Sequence, residues 1–488
     1  MMEPVYIGID LGTQSARAMA VTRDGTVVAS AAQPLHSQRE DVRHQQDPAE
    51  WWRASACALL EVMGQCGPGR VILGVAVDTT SGTILLVDAD GTPLTKGLMY
   101  DDGRAREEAT EVSEKGAKLW KELGYRIQAS WALPKLLWLK RNGLLQQGVR
   151  LLHQNDWLHL RLSGRLLPTD SSHALKTGYD LLRSRWPQEI FDRLGIPLPV
   201  LPQVVRPGTH IGEIDAAGCR ATGLPYGTPI FAGMTDGCAA QIASGATSVG
   251  SWNTVIGTTL VVKGVTRELL HDPLGAVYSH RSMDDLWLPG GASSTGAGAI
   301  AASFAPDDLP ALNHYAETRG PSQLVVYPLV GRGERFPFAA PEAEGFTLGT
   351  PPSPEELYCG VLQGIALWER LSFDALRALN APTNGSFTIS GGATRSRALN
   401  QLRADIMQRE LHIAAITEGA FGMAVLISAT ETNMTEATKR MVNTGESVAP
   451  RRSFADYEDA YSKLLQALHQ RGWLPDALMQ TVQRGLHA

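Results

Sequence analysis

Val5-Tyr6-Ile7-Gly8-Ile9-Asp10-Leu11-Gly12-Thr13-Gln14-Ser15 is the stretch on which the fold turns. Residues 5–9 are apolar and strand-length, and residues 10–15 have the glycine and hydroxyl content of a turn. Residues 16–21 then read as a second strand. Arg23-Asp24-Gly25 makes a hairpin turn into residues 26–30, because Asp-Gly supplies the positive φ such turns need. A strand that ends in Asp, followed by Gly and hydroxyl residues, exposes backbone N–H groups and a carboxylate at one tip. Amides so placed can cradle phosphate oxygens, and Asp10 can hold a magnesium ion through water. Taken alone, the octapeptide 8–15 serves equally well as a plain hairpin.

Further along, the same punctuation returns. Residues 51–63 have helical spacing, and the apolar run 71–77 ends in Asp78-Thr79-Thr80-Ser81-Gly82-Thr83. Residues 84–87 and the turn 88–91 form another hairpin, followed by largely helical sequence to about residue 200. A second half begins near Pro225. There, strand 230–233 enters Met234-Thr235-Asp236-Gly237, and strand 248–256 runs into Gly257-Thr258-Thr259 and on to 260–263. Late in the chain, strand 387–389 meets Ser390-Gly391-Gly392-Ala393, and a helix over 399–408 follows. Residues 331–345 read as a polar, Pro-containing loop. Each glycine turn is weak evidence singly; three in order, in a chain long enough for two domains, form a strong signal for phosphate binding.

The whole chain sets bounds on this reading. Its 488 residues call for two large domains. A net charge of -6 offers no basic face to nucleic acid or to an anionic membrane. A polyanionic cosubstrate therefore has to be held by local amides and a metal ion. Five cysteines, none in a CxxC pair, argue against a disulfide framework or a structural zinc and fit a reducing cytoplasm. No apolar run reaches the ~20 residues a membrane helix needs, and the N-terminus has no basic or apolar leader pattern. A soluble, cytoplasmic protein is expected. The sequence leaves the oligomeric state open, a homodimer included.

The ordered motifs resemble the FGGY carbohydrate kinases of the actin-like ATPase superfamily. The resemblance is carried by Asp10-Leu11-Gly12-Thr13, Tyr100-Asp101-Asp102-Gly103-Arg104, Lys135-Leu136-Leu137-Trp138-Leu139, Thr235-Asp236-Gly237, Gly257-Thr258-Thr259 and Gly391-Gly392-Ala393. Asn155-Asp156-Trp157, Leu162-Ser163-Gly164 and Thr169-Asp170 with the residues after it add to it, so that it runs from residue 5 to about 430. It implies an α/β protein of two ribonuclease-H-like domains flanking a deep catalytic cleft. Residues 1–245 would bind sugar and carry the first phosphate turn, and residues 246–488 would bind nucleotide.

By that resemblance Asp236 is the general base for a sugar hydroxyl; on spacing alone it also reads as a helix cap before residues 238–243. The resemblance puts ATP on Gly12, Thr13, Gln14, Gly257, Thr258, Thr259, Gly391, Gly392 and Ala393, and Mg2+ on Asp10 and Asp236. Sugar would meet Asp10, Ser81, Gly82, Asp102 and Asp236, with Arg104 either beside it or in a solvated turn. Trp138 reads as packing, and His153 and His173 as structural or surface residues.

Three departures stand out. Many xylulose and glycerol kinases carry a Gln/Arg plus Met-His or Glu segment where this chain has residues 78–83, which makes Ser81 and Gly82 the candidates for sugar contact. Residues 418–424 are bulkier than the usual small-residue helix start beneath the nucleotide, and Gly391-Gly392-Ala393 replaces three glycines. Residues 78–83, His153–Trp157, Tyr278-Ser279-His280-Arg281 and Gly290–Gly296 are similar to a plant-type and cyanobacterial subgroup related to D-ribulose kinases. That similarity implies a ketopentose substrate, D-ribulose ahead of D-xylulose. The rival is a non-catalytic or regulatory ATP-binding member of the superfamily. P-loop kinases and nicotinamide enzymes are disfavoured, since neither GxxxxGK[ST] nor a strand running into GxGxxG occurs.

Overall fold

The opening hairpin forms as strands β1, Glu3–Leu11, and β2, Ser15–Thr22. The structure, a computed structural model, describes residues 3–67 and 69–486. Strands β3 (Val27–Pro34), β4 (Arg70–Thr79), β5 (His210–Glu213) and β6 (Pro229–Phe231) complete a six-stranded sheet of order β5-β6-β4-β1-β2-β3. β1, β2 and β3 run antiparallel, β4 and β6 lie parallel to β1 and to each other, and β5 closes the edge antiparallel.

The chain divides into two units. The first runs to Thr247 and takes in His280–Trp287 and Ile416–Asn443; the second holds Ser248–Ser279, Leu288–Ala415 and the chain from Thr444 onward. In the first, helix Pro48–Cys66 begins with Asp47 capping the Ala49 N–H and Pro48 in the first turn, and it packs against β2 and β3. Helix Gly419–Ala429 is buried along its whole length and lies against β1, β4 and helix Asp236–Ala243. Glycines allow that approach: a Cβ at Gly8 would overlap the Ala420 carbonyl, and one at Gly422 the Ala239 carbonyl. A five-stranded sheet, in the order Gln38–Glu40, Arg43–Gln46, Gly97–Leu98, Ile84–Val87 and Arg150–His153, sets the turns on either side of it.

The second unit repeats the plan. Its sheet is made of β7 (Trp252–Ile256), β8 (Leu260–Gly264), β9 (Tyr278–Arg281), β10 (Trp287–Ala292), β11 (Phe387–Ser390), β12 (Leu411–Ile413) and β13 (Ser447–Val448), the division between the units falling within β9 and at the start of β10. Their order is β9-β10-β8-β7-β11-β12-β13. Read from β10, three antiparallel strands are followed by two parallel ones and an antiparallel edge, the sequence found from β3 in the first sheet. Helix Pro354–Ala378 and the buried rings of Trp252, Tyr327, Trp368 and Phe373 form its core.

One expectation fails. Most of residues 331–345 are not loop; they belong to a two-stranded antiparallel ribbon, Val325–Glu334 with Ala340–Leu348. Such a ribbon pairs its own backbone, so its outward side chains can stay polar and give no apolar alternation to read. Its tip is anchored by the fully buried rings of Phe336 and Phe338. Boundaries shift elsewhere: strand 248–256 narrows to β7 because Gly250 makes a positive-φ turn, and the helix foreseen over 399–408 is Arg397–Met407.

Candidate active site

Parallel register sets Asp10 directly beside Asp78 at the tips of β1 and β4, and both project from the same face. Beyond β6, Thr235 bridges to Thr79 and caps helix Asp236–Ala243, so Asp236 is the first helical residue rather than the cap. Its Oδ1 accepts the Gly237 N–H at 2.7 Å. Three carboxylates thus gather in one unit, graded from fully buried Asp78 through half-buried Asp10 to exposed Asp236. Burial, then the charge of Asp236, pushes Asp10 up to about 6. Burial, then Asp10 and Asp236, lifts Asp78 well above the usual carboxylate range. The Asp78 carboxyl is hydrogen-bonded to the Asp10 side chain and rests on Gly419, where a Cβ would lie 2.6 Å from Oδ1.

The turn between β1 and β2 is closed by a bond from the Gly12 N–H to the Ser15 carbonyl, 3.0 Å. Gln46 Nε2 holds the Thr13 carbonyl at 2.7 Å and the Leu35 N–H holds that of Gln14 at 2.8 Å, while the Gln14 side chain stays exposed. The β7–β8 turn of the second unit is built alike, with the Gly257 N–H on the Thr259 carbonyl at 3.0 Å and Thr258 exposed. Gly391 has φ +90, and a Cβ there would lie 2.6 Å from the Ile256 carbonyl oxygen, so only glycine fits. Gly392 and Ala393 begin the short helix after it. A cavity of about 970 Å3 in this unit is lined in part by Thr394, Arg395, Asn400, Gln401, Cys359 and Tyr457.

Ser81 and Gly82 form a buried turn three residues beyond Asp78, with Gly82 at φ +95. Fully buried Lys135 ties that turn to the next: its Nζ donates to the Gly82 and Met99 carbonyls, each at 2.7 Å. Burial pushes Lys135 down to about 7. Asp102 is buried with its carboxylate engaged, by Arg104 Nε at 2.8 Å and Nη2 at 2.7 Å and by the His44 N–H at 2.7 Å. Burial alone would raise it, but those donors hold it below its ordinary value. Arg104 is shielded rather than solvated and stacks on Trp138 at 5.0 Å.

The structure therefore brings together Asp10, Asp236 and the turns carrying Ser81, Gly82 and Asp102, and it leaves the glycine turns of the second unit on their own scaffold. Sequence reading passed over Asp78, although two apolar strands each ending in Asp was the available signal. It also passed over Glu334, a buried carboxylate that accepts from Ser293 Oγ (3.0 Å), the Ser294 N–H (2.6 Å) and Thr295 Oγ1 (2.8 Å). That loop lies against the β7–β8 turn, with the Ala297 N–H on the Gly257 carbonyl at 2.9 Å.

A sheet order used twice, with glycine turns and carboxylates at its strand tips, defines a phosphotransferase of the actin-like ATPase fold. The chain belongs to the FGGY family of carbohydrate kinases: residues 5–243 match its N-terminal domain and residues 246–430 its C-terminal domain. It is 27% identical over 425 residues to a xylulose kinase of Klebsiella pneumoniae, covering 83% of this chain and 86% of that enzyme. An apulose kinase of Pectobacterium atrosepticum is 28% identical over 448 residues, 87% of this chain and 89% of that one. The solved xylulose kinase of Rhodospirillum rubrum superposes with a TM-score of 0.86 at 24% identity, covering 95% of this chain and 98% of that one.

Proposed function

We propose that this carbohydrate kinase transfers the γ-phosphate of ATP to a ketopentose hydroxyl, D-ribulose first and D-xylulose close behind, with Asp236 as general base. The observation that carries the reading is the cluster Asp10–Asp78–Asp236 beside the Ser81–Gly82 turn. A sugar hydroxyl must shed its proton as it attacks phosphorus, and an exposed carboxylate at a helix start is able to accept it. The alternative, an ATP-binding protein without transfer, has no need of a carboxylate at 236.

Asp10 and Asp236 are the proposed holders of Mg2+. The fit rests on donor chemistry: half-buried Asp10 at the tip of β1 and exposed Asp236 at a helix start offer carboxylate oxygens, the ligands a hard cation takes. Among the described residues no three His, Cys, Asp or Glu side chains form a ready cage, and Mg2+ ordinarily completes its shell with water and substrate phosphates. When bound, it would neutralise charge on the phosphates. Gly12, Thr13, Gln14, Gly257, Thr258 and Thr259 are assigned to the phosphates of ATP. Gly391, Gly392 and Ala393 are assigned to its nucleoside end, supported by the cavity that starts at Thr394. Ser81, Gly82 and Asp102 are assigned to the sugar.

Residues 78–83 support D-ribulose, and the names of the relatives support D-xylulose as the second reading. A coupled assay of ADP release with D-ribulose, D-xylulose, L-ribulose, glycerol and gluconate separates them. A ketopentose should lead, and a lead for glycerol or gluconate would overturn the substrate class. Asp236→Ala should abolish transfer and leave ATP binding nearly intact; retained kinase activity would remove Asp236 as base.

A further inference from the structure

Behind the carboxylate cluster lies a second group of polar side chains that takes no part in it. Asp170 ends the short strand Thr169–Asp170 and caps the following helical turn, accepting the N–H groups of Ser172 at 2.9 Å and His173 at 3.0 Å. The same carboxylate accepts Ser172 Oγ at 2.5 Å, bonds His173 Nδ1 at 2.5 Å and accepts Asn155 Nδ2 at 3.2 Å. Asp170, Ser172 and His173 are each fully buried. So many bonds exceed what capping one turn of helix requires.

Each of the two side chains has a second partner. Ser172 Oγ accepts the Thr235 N–H at 3.0 Å, and His173 Nε2 bonds Thr79 Oγ1 at 2.8 Å. Thr235 and Thr79 bridge one another, and they adjoin Asp236 and Asp78 respectively. One carboxylate therefore grips both strand tips from behind, through one hydroxyl and one imidazole. With Nδ1 on Asp170, His173 turns its other ring nitrogen, Nε2, to the Thr79 hydroxyl.

We infer that Ser172 and His173, braced on Asp170, are positioning residues that fix Asp236 against the reacting hydroxyl. The inference rests on the assignment of Asp236 as base. Loss of the Ser172 hydroxyl leaves the buried Thr235 amide without its acceptor and lets the start of the Asp236 helix drift. Misplacement by about 1 Å can cost on the order of a hundredfold in rate.

The test is steady-state kinetics of the full chain with its best ketopentose, alongside melting curves. Ser172→Ala should lower kcat about tenfold or more with KM for ATP held within about twofold, and Ser172→Thr, which keeps the oxygen, should recover most of kcat. Unchanged kcat in Ser172→Ala overturns the inference. So does a loss shared by kcat, KM and melting temperature that Ser172→Thr does not repair, because that is the pattern of a merely structural role. If Ser172→Ala does not fold, Thr79→Val cuts the His173 arm at nearly constant volume and is judged by the same split. Asp236→Asn is run in parallel: activity retained there refutes the base, whereas an inactive Asp236→Asn beside a fully active Ser172→Ala refutes only the positioning role.

Discussion

His159 sits buried with neither ring nitrogen hydrogen-bonded, and burial pushes its pKa down to about 4. Unfolded, the ring titrates near 6.5. Above that pH both states are neutral and the residue contributes nothing to the pH dependence. As pH falls from about 6.5 to 4, the unfolded chain takes up a proton that the native state refuses, so stability drops by about 3 kcal/mol. Urea unfolding of wild type and His159→Leu should diverge across that window, with the wild type losing the extra amount; parallel curves would refute the assignment. Such a residue shows what single positions reveal in a sequence. Asp10 was legible because its strand and turn are contiguous. Asp78 was not, because its meaning comes from register with a strand far away in the chain. Asp170 and the residues after it entered only through the family resemblance, and His173 read as a structural or surface residue; the partners that tie Ser172 and His173 to the site, Thr235 and Thr79, lie on other elements.

At the scale of elements, strands followed by glycine turns were found within a few residues, since turn chemistry is local. The ribbon Val325–Glu334 with Ala340–Leu348 was missed because nothing in its own composition demands pairing. Yet it delivers Glu334 to the loop 293–295, and that loop backs the Gly257 turn. Glu334→Ala leaves the buried Ser293 and Thr295 hydroxyls without their carboxylate and should loosen the turn assigned to phosphate. The expected outcome is a KM for ATP raised about tenfold with the sugar KM nearly unchanged, equivalent to roughly 1.4 kcal/mol of binding. Equal effects on both substrates would detach the ribbon from nucleotide binding.

For the molecule as a whole, the sequence showed two halves with similar punctuation, and the structure gives both the same strand order. No local pattern announced that Ile416–Asn443 returns to the first unit. Helix Gly419–Ala429 is apolar all round, so its periodicity points to no face. A fragment ending at residue 247 should therefore lack the cover of β1 and β4 and unfold without a cooperative transition. Supplying residues 416–443 in trans should restore one. A sharp urea transition for the fragment alone would show that the first unit closes without its late helix.

That late helix also sets a clock. A ribosome adding about 5–20 residues per second needs roughly 20 to 80 s to travel from Leu11 to Gly419. Throughout that interval the earliest strands of the nascent chain wait with an apolar face bare to solvent. Exposed apolar surface on an unfinished chain invites aggregation, so slowed translation should lower the yield before any finished molecule has been made.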